Sequence, residues 1–260
     1  VIEKQMNAIS SLPRLSLIIP CYNEATRVDL MYAGIASFIK EWDAFLEIII
    51  VDDGSSDATA TLLQDHPVYL AHADCIRILH QDNTGKGGAL KYGCLIAKGD
   101  YVLTLDADMA THPKELLNWL AIENNFNANT IYIGSREHAQ STIFQLSNRK
   151  TVGHIFNAIV KLLTPLRIQD TQCGFKLYPV KWASTIFKDL ETNGWAHDVE
   201  ILYKAHLLGL QIKEMPIEWH AIEGSKINVL VDGAKMFFEV LRISTQIKWS
   251  YKTKKIRTCN

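Results

Sequence analysis

Two carboxylates, Asp106 and Asp108, close an apolar run that begins at Tyr101, and Pro113 follows soon after. In an extended segment, residues two apart point to the same side, so the two carboxylates converge on one point. Held about 4 Å apart they repel by about 4 kcal/mol at an effective dielectric near 20. A divalent cation between them turns the repulsion into attraction, and all-oxygen donors suit Mg²⁺ or Mn²⁺. An isolated Asp-x-Asp is more often a solvated turn, with one Asp capping a helix, so the rest of the chain has to decide.

Other apolar runs also end in polar chemistry. Leu15 to Pro20 leads into Tyr22-Asn23-Glu24, and Leu46 to Val51 into Asp52-Asp53-Gly54-Ser55-Ser56-Asp57. Ile76 to Leu79 leads to Asn83-Thr84-Gly85-Lys86-Gly87-Gly88-Ala89. Asp52 and Asp53 can accept hydrogen bonds from a nucleobase N–H or ribose hydroxyls, while Ser55, Ser56 and Asp57 are expected to cap the next helix. The glycine stretch is no ATPase loop, because His80 and Gly87 stand where that loop needs a glycine and a Ser or Thr. Its backbone can still approach a phosphate or sugar closely, with Lys86 adding charge. The same glycines also permit a tight strand-to-helix turn.

These loops need elements to hold them. The runs at Leu15 to Pro20, Leu46 to Val51, Ile76 to Leu79, Tyr101 to Leu105 and Thr130 to Gly134 are β-branched and apolar, and predict strands. Helical spacing lies between them, at Met31, Ile35, Phe38, Ile39 and Trp42, and less cleanly at Leu90, Leu95 and Ile96. Alternation of this kind predicts an α/β fold: a doubly wound, mainly parallel sheet with helices on both faces and ligands at the carboxyl ends of the strands. Beyond about residue 145 the pattern turns to helix around Asn148 to Leu163 and again from Asp198 to Leu208. The expected organisation is one domain over 1–226, with a nucleotide half at about 13–135 and an acceptor half at about 136–226. An amphipathic C-terminal helix and basic tail would occupy 227–260.

The chain has 260 residues, 48% of them hydrophobic, and a net charge of −1, so no general attraction to nucleic acid is expected. Its charge is uneven: Arg242, Lys248, Lys252, Lys254, Lys255 and Arg257 crowd the last 20 residues without an acid. That tail, with Val229, Leu230, Met236, Phe237, Phe238, Val240, Leu241, Ile243, Ile247 and Trp249 before it, would suit an anionic membrane surface. Packing of the same helix on the domain core is the competing expectation. Five cysteines, Cys21, Cys75, Cys94, Cys173 and Cys259, lack Cys-x-x-Cys spacing and fit reduced thiols. Cys173 reads as a small packed residue. No apolar run approaches the roughly 20 residues of a spanning helix, and since the chain opens on Val1, an upstream anchor could have been trimmed away.

Taken in order, Pro20-x-Tyr22-Asn23-Glu24, Val51-Asp-Asp-Gly-Ser-x-Asp57, Asn83-x-Gly-Lys-Gly-x-Ala89 and Asp106-x-Asp108 resemble the family-two inverting nucleotide-sugar glycosyltransferases of GT-A fold. Gly134-Ser-Arg136, Asn148-Arg149-Lys150, Asp170-Thr-Gln-Cys-Gly-Phe-Lys176, Trp195-Ala-x-Asp198-Val-Glu200 and Glu223-Gly-Ser-Lys226 resemble the branch that glucosylates dolichyl phosphate. The match spans roughly residues 15 to 226.

The resemblance implies transfer of glucose, with inversion, from UDP-glucose to a dolichyl or other polyprenyl phosphate at the cytoplasmic face of a membrane. The protein would be peripheral there, or anchored by a segment not present in this chain. Pro20, Tyr22, Glu24, Asp52 and Asp53 would hold the nucleotide, with Lys86 and Gly87 at its ribose or phosphates. Asp106 and Asp108 would sit at the metal and diphosphate, and Arg136, Arg149 and Lys226 at the acceptor phosphate. Asp170 would be a base or an orienting group. Ala110 occupies a position where mannosyl relatives often carry a metal-ligating Gln. Two alternatives stay open: a mannosyltransferase using GDP-mannose, and a sugar-nucleotide binder without turnover.

Overall fold

The computed structural model describes residues 12–144, 150–221 and 235–246, with backbone alone at 150–155. Seven strands form one mixed sheet: β1 (Leu15–Cys21), β2 (Leu46–Asp52), β3 (Ile76–His80), β4 (Tyr101–Thr104), β5 (Thr130–Gly134), β7 (Lys176–Pro179) and β8 (Gln211–Met215). They stand in the order β3-β2-β1-β4-β7-β5-β8. All neighbours run parallel except β7, which is antiparallel to both β4 and β5. The short strands β6 (Thr142–Phe144) and β9 (Glu218–His220) pair separately.

The unbroken apolar runs of β1 and β2 follow from burial on both faces. Leu17 and Ile19 point into one core with Ile48 and Ile50; Ile18 points into the other with Ile49 and Val51. The first core is covered by α1 (Val28–Ile39) and α5 (Glu115–Glu123), through Met31, Ile35, Phe38, Leu116 and Trp119. The second is covered by α4 (Lys86–Ile96), α7 (Val180–Lys188) and α8 (His197–Leu207), through Leu90, Ala183, Ile186 and Val199. Leu95 departs from its expected stripe and faces solvent. Two short helices, α2 (Thr59–Asp65) and α3 (Pro67–Ala71), lie between β2 and β3, and α6 spans Lys150–Leu163. The expected start of α6 at Asn148 lies outside the described residues.

Residues 235–246 form a last helix, α9. Met236, Val240 and Ile243, spaced by four and three, pack into the second core, whereas Phe237, Phe238 and Leu241 are exposed. The expectation of packing on the domain core is met by one face of this helix, and the other face stays exposed. Among the described residues, no helix is long and apolar enough to cross a membrane.

Candidate active site

Strand register brings the polar loops together. Cys21 pairs with Asp52 and Asp52 with His80, while the Leu105 amide donates to Ile18 O at 3.2 Å. The ends of β1, β2, β3 and β4 therefore share one edge, as the doubly wound pattern requires.

Much of that edge is a brace made of its own side chains. Asn23, in the left-handed region at φ 52, accepts from the Ser56 amide at 2.8 Å, and its own amide donates to Ser55 Oγ at 2.9 Å. The Glu24 amide donates to Thr59 Oγ1 at 2.7 Å, and Glu24 meets Arg27 at 2.8 Å. Asp52 is buried and accepts from Ser55, with His80 Nδ1 at 3.1 Å. Asp57, expected at the helix cap, lies one residue before the N-cap Ala58 and accepts from the amide of Thr59, the first residue of α2, at 2.9 Å. Pro20 and Tyr22 lie at the end of β1, and Tyr22 is exposed.

Two expected donor contacts are redirected. Asp53 is buried, and its oxygens accept from Gln81 Nε2 at 2.6 Å, Thr84 N at 2.9 Å and Gly85 N at 2.8 Å. Its carboxylate is spent on shaping the loop before Lys86. Gly87 is buried and its N–H donates to Asn193 O at 2.9 Å, so that amide is not presented to a phosphate. A Cβ on Gly87 would stand 2.5 Å from Thr192 O, and one on Gly85 2.6 Å from Asn193 O. Close approach of the 192–193 backbone is what requires these glycines.

Lys86 itself reaches the carboxylate pair, with Nζ 2.5 Å from Asp106 Oδ1 and 5.9 Å from the centre of the Trp195 ring. Burial opposes its charge, but Asp106, Asp198 and Asp108 outweigh burial and raise its pKa. Asp108 follows the opposite logic: burial and then Asp106 push its carboxyl upward, against the Ala110 amide, Lys86 and Arg27. The turn just after Asp108 places Met109 at φ 55, a conformation that costs about 1–3 kcal/mol and is backed by the Ala110 amide on Asp108 Oδ1 at 3.0 Å. Gly174 lies directly over Asp106, since an added Cβ would come within 2.5 Å of Asp106 Oδ2.

Close enough to Asp106 for their charges to interact, Arg136 fully engages the buried Asp170, through Nε at 2.7 Å, Nη2 at 2.8 Å and the Arg136 amide at 3.0 Å. Burial would raise the Asp170 carboxyl, but Arg136 and then Lys176 hold it below the ordinary range. Such a carboxylate orients a guanidinium and makes a poor base. Arg136 also lies 5.6 Å from the Trp219 ring centre. Arg149 and Lys226 lie outside the described residues.

A second buried group went unnoticed in the sequence, although it lies inside a quoted motif. Lys176 Nζ meets Asp198 Oδ1 at 2.6 Å and also the Cys173 carbonyl. Burial would raise Asp198, but His197, Lys176 and Lys86 hold it down. His197 Nδ1 is 2.7 Å from Gly194 O, while its buried Nε2 has no hydrogen-bond partner and lies 3.6 Å from Asp198 Oδ2. Glu200, two residues on and so nearly opposite on the helix, accepts from the Glu191 and Thr192 amides at 2.9 and 2.7 Å. Cys173 is buried as expected, its thiol pushed up to about 11 by burial.

The mixed seven-stranded sheet flanked by helices is shared with solved GT-A glycosyltransferases, and that is the class this fold defines. Glucosyl-3-phosphoglycerate synthase from Mycobacterium tuberculosis, solved with Mn²⁺, UDP and glucosyl-3-phosphoglycerate, superposes with a TM-score of 0.66 at 17% identity, covering 94% of this chain and 82% of that one. Mannosyl-3-phosphoglycerate synthase from Rubrobacter xylanophilus gives 0.63 at 18% identity, covering 96% and 77%. At those identities the likeness is one of fold. The chain belongs to glycosyl transferase family 2, whose pattern matches residues 16–187. It is 37% identical to the dolichyl-phosphate beta-glucosyltransferase of Dictyostelium discoideum over 88% of this chain and 73% of that protein. Identity is 35% to the Homo sapiens protein of the same name, over 84% and 71%.

Proposed function

We propose that this protein transfers glucose from UDP-glucose to dolichyl phosphate, with inversion at the anomeric carbon. An acceptor phosphate oxygen attacks that carbon as the bond to the UDP oxygen breaks, and UDP leaves. The observation that carries the reading is the pairing of Lys86 with Asp106 at the strand edge, within electrostatic reach of an Arg136 guanidinium already oriented by Asp170. Relatives above 30% identity that bear the dolichyl-phosphate glucosyltransferase name support the acceptor and the sugar.

The donor set fits a divalent cation. Asp106 and Asp108 offer only oxygen, and the Asp108 charge is disfavoured by burial and by Asp106, which a cation would reverse. Bound there, a divalent metal such as Mg²⁺ or Mn²⁺ supplies Lewis-acid stabilisation of the charge that appears on the leaving diphosphate. Lys86 adds a fixed positive charge on the same side. Asp52 and the braced loops Tyr22–Glu24 and Ser55–Asp57 frame the nucleoside end, while Asp53 holds the loop that aims Lys86. No general base is needed, because an acceptor phosphate, with a second pKa of about 6, is largely ionised near neutral pH. Arg136 receives it, together with Arg149 and Lys226.

The acceptor lies in a membrane, and the reading places the protein at its cytoplasmic face. Exposed Phe237, Phe238 and Leu241 on α9 give that contact an apolar surface. A donor panel with polyprenyl phosphate tests the assignment. UDP-glucose should give lipid-linked sugar at least tenfold faster than GDP-mannose or other UDP-sugars, and faster turnover with GDP-mannose would replace glucose by mannose in the account.

A further inference from the structure

The loop over residues 191–197 sits between α9 and Lys86. On one side, Asn193 O accepts the Gly87 amide at 2.9 Å, the Thr192 and Asn193 carbonyls leave no room for a side chain at Gly85 or Gly87, and Trp195 lies beside Lys86 Nζ. On the other, Arg242 Nη2 donates to Thr192 Oγ1 at 2.7 Å and Arg242 Nη1 meets Glu191 Oε2 at 3.2 Å. Glu239 Oε2 accepts from the Ala196 amide at 3.4 Å, and Gly194 lacks a Cβ where Glu239 Oε1 would stand 3.0 Å away. Arg242 and Glu239 are three residues apart and so share a face of the helix.

We infer that Arg242 and Glu239 are positioning residues for the donor site: they clamp the 191–197 loop from α9, and the loop in turn sets Lys86 against Asp106. The exposed Arg242–Glu191 pair contributes little by itself. The bond to Thr192 counts for more, because Thr192 is buried and its amide is already fixed by Glu200. Held by Glu200 and by α9, the loop presents its carbonyls to the glycine turn as a rigid wall. Released from α9, it keeps the Glu200 bonds, the Gly87 amide and the His197 contact with Gly194 O, but nothing presses it from the α9 side, and the wall that backs Lys86 at the carboxylate pair loosens. The helix with the exposed Phe237, Phe238 and Leu241 is thereby tied to the donor end of the site by one loop.

The inference rests on the donor reading above, so the test separates the two. UDP affinity in the presence of Mn²⁺ is measured by calorimetry on the full chain for the wild type, Arg242→Ala, Arg242→Lys and Lys235→Ala, with melting temperatures alongside. The expectation is a five- to tenfold weaker UDP affinity in Arg242→Ala, at least half recovered in Arg242→Lys, and wild-type affinity in Lys235→Ala, which alters an exposed residue of the same helix. UDP binding by the wild type with equal affinity in Arg242→Ala overturns the clamp and leaves the donor reading intact. Weakening in Arg242→Ala without recovery in Arg242→Lys, matched by an equal effect of Lys235→Ala, marks a general loss of packing and also overturns it. Absence of UDP binding by the wild type overturns the donor reading and the clamp together.

Discussion

Lys86 Nζ lies 2.5 Å from Asp106 Oδ1, so an ammonium already competes for the place where a cation would meet the carboxylate pair. With Ala110 offering no third ligand nearby, metal should bind weakly until a diphosphate brings its own oxygens. Lys86→Met should tighten Mn²⁺ binding to the free protein by about tenfold, or about 1.4 kcal/mol, and weaken UDP binding in the same titration. The two shifts have opposite signs. A loss of both would show that Lys86 supports the metal.

Gly174 and Gly93 separate chemistry from packing. A Cβ at Gly174 would lie 2.5 Å from Asp106 Oδ2, whereas one at Gly93 would lie 2.5 Å from Ile18 Cγ2 in the core. Either alanine overpacks, at about 1–3 kcal/mol by urea denaturation. Only Gly174→Ala should also cut turnover per folded molecule, by tenfold or more, since it displaces a carboxylate of the site. Equal turnover in both variants would remove Asp106 from the chemistry.

The Lys176–Asp198 pair, with Lys176 only 1% exposed, carries a large structural stake. Lys176→Met leaves Asp198 buried and without its closest cation, which should cost about 3–5 kcal/mol in the midpoint of chemical denaturation. Lys176→Met with Asp198→Leu should cost clearly less, because no charge is then stranded. A double variant as unstable as the single would show that packing, not charge, governs this spot.

Much of this was legible beforehand. Strands one to five and the shared loop edge followed from apolar runs of fixed length, because burial on both sheet faces leaves a pattern that local sequence carries. Asp106, Asp108 and Lys86 meet as their places at strand ends implied. The roles of Asp53 and Gly87 were not legible, since a carboxylate that braces a loop and one that binds a nucleoside look alike in sequence. Lys176, Asp198 and Glu200 were also missed, although Lys176 stood in one of the family motifs and Asp198 and Glu200 in another. Lys176 on β7 meets Asp198 on α8, and Glu200 holds the amides of the 191–192 loop; pairing between separate segments of that kind has no periodicity to read. The antiparallel β7 follows the same pattern: Lys176–Pro179 is too short for its direction to be inferred.

Acid should act first through the depressed carboxylates. Arg136 holds Asp170 below its ordinary value, so that pair contributes stability above the ordinary carboxylate range, lost as pH falls through the depressed folded value. Below about pH 4 the wild type should therefore lose stability steeply in denaturant titrations. Asp170→Asn should be less stable at neutral pH and show a shallower slope below pH 4. An unchanged slope would mean that Asp170 is not ionised in the folded state.

The central claim is tested most directly by incubating the protein with labelled UDP-glucose, a divalent metal and dolichyl phosphate, and determining the anomeric configuration of any labelled lipid by NMR. The account predicts β-linked glucosyl phosphate lipid from the wild type and at least a hundredfold less from Asp108→Ala. Labelled lipid in the α configuration, undiminished product from Asp108→Ala, or label appearing only as free glucose would contradict it.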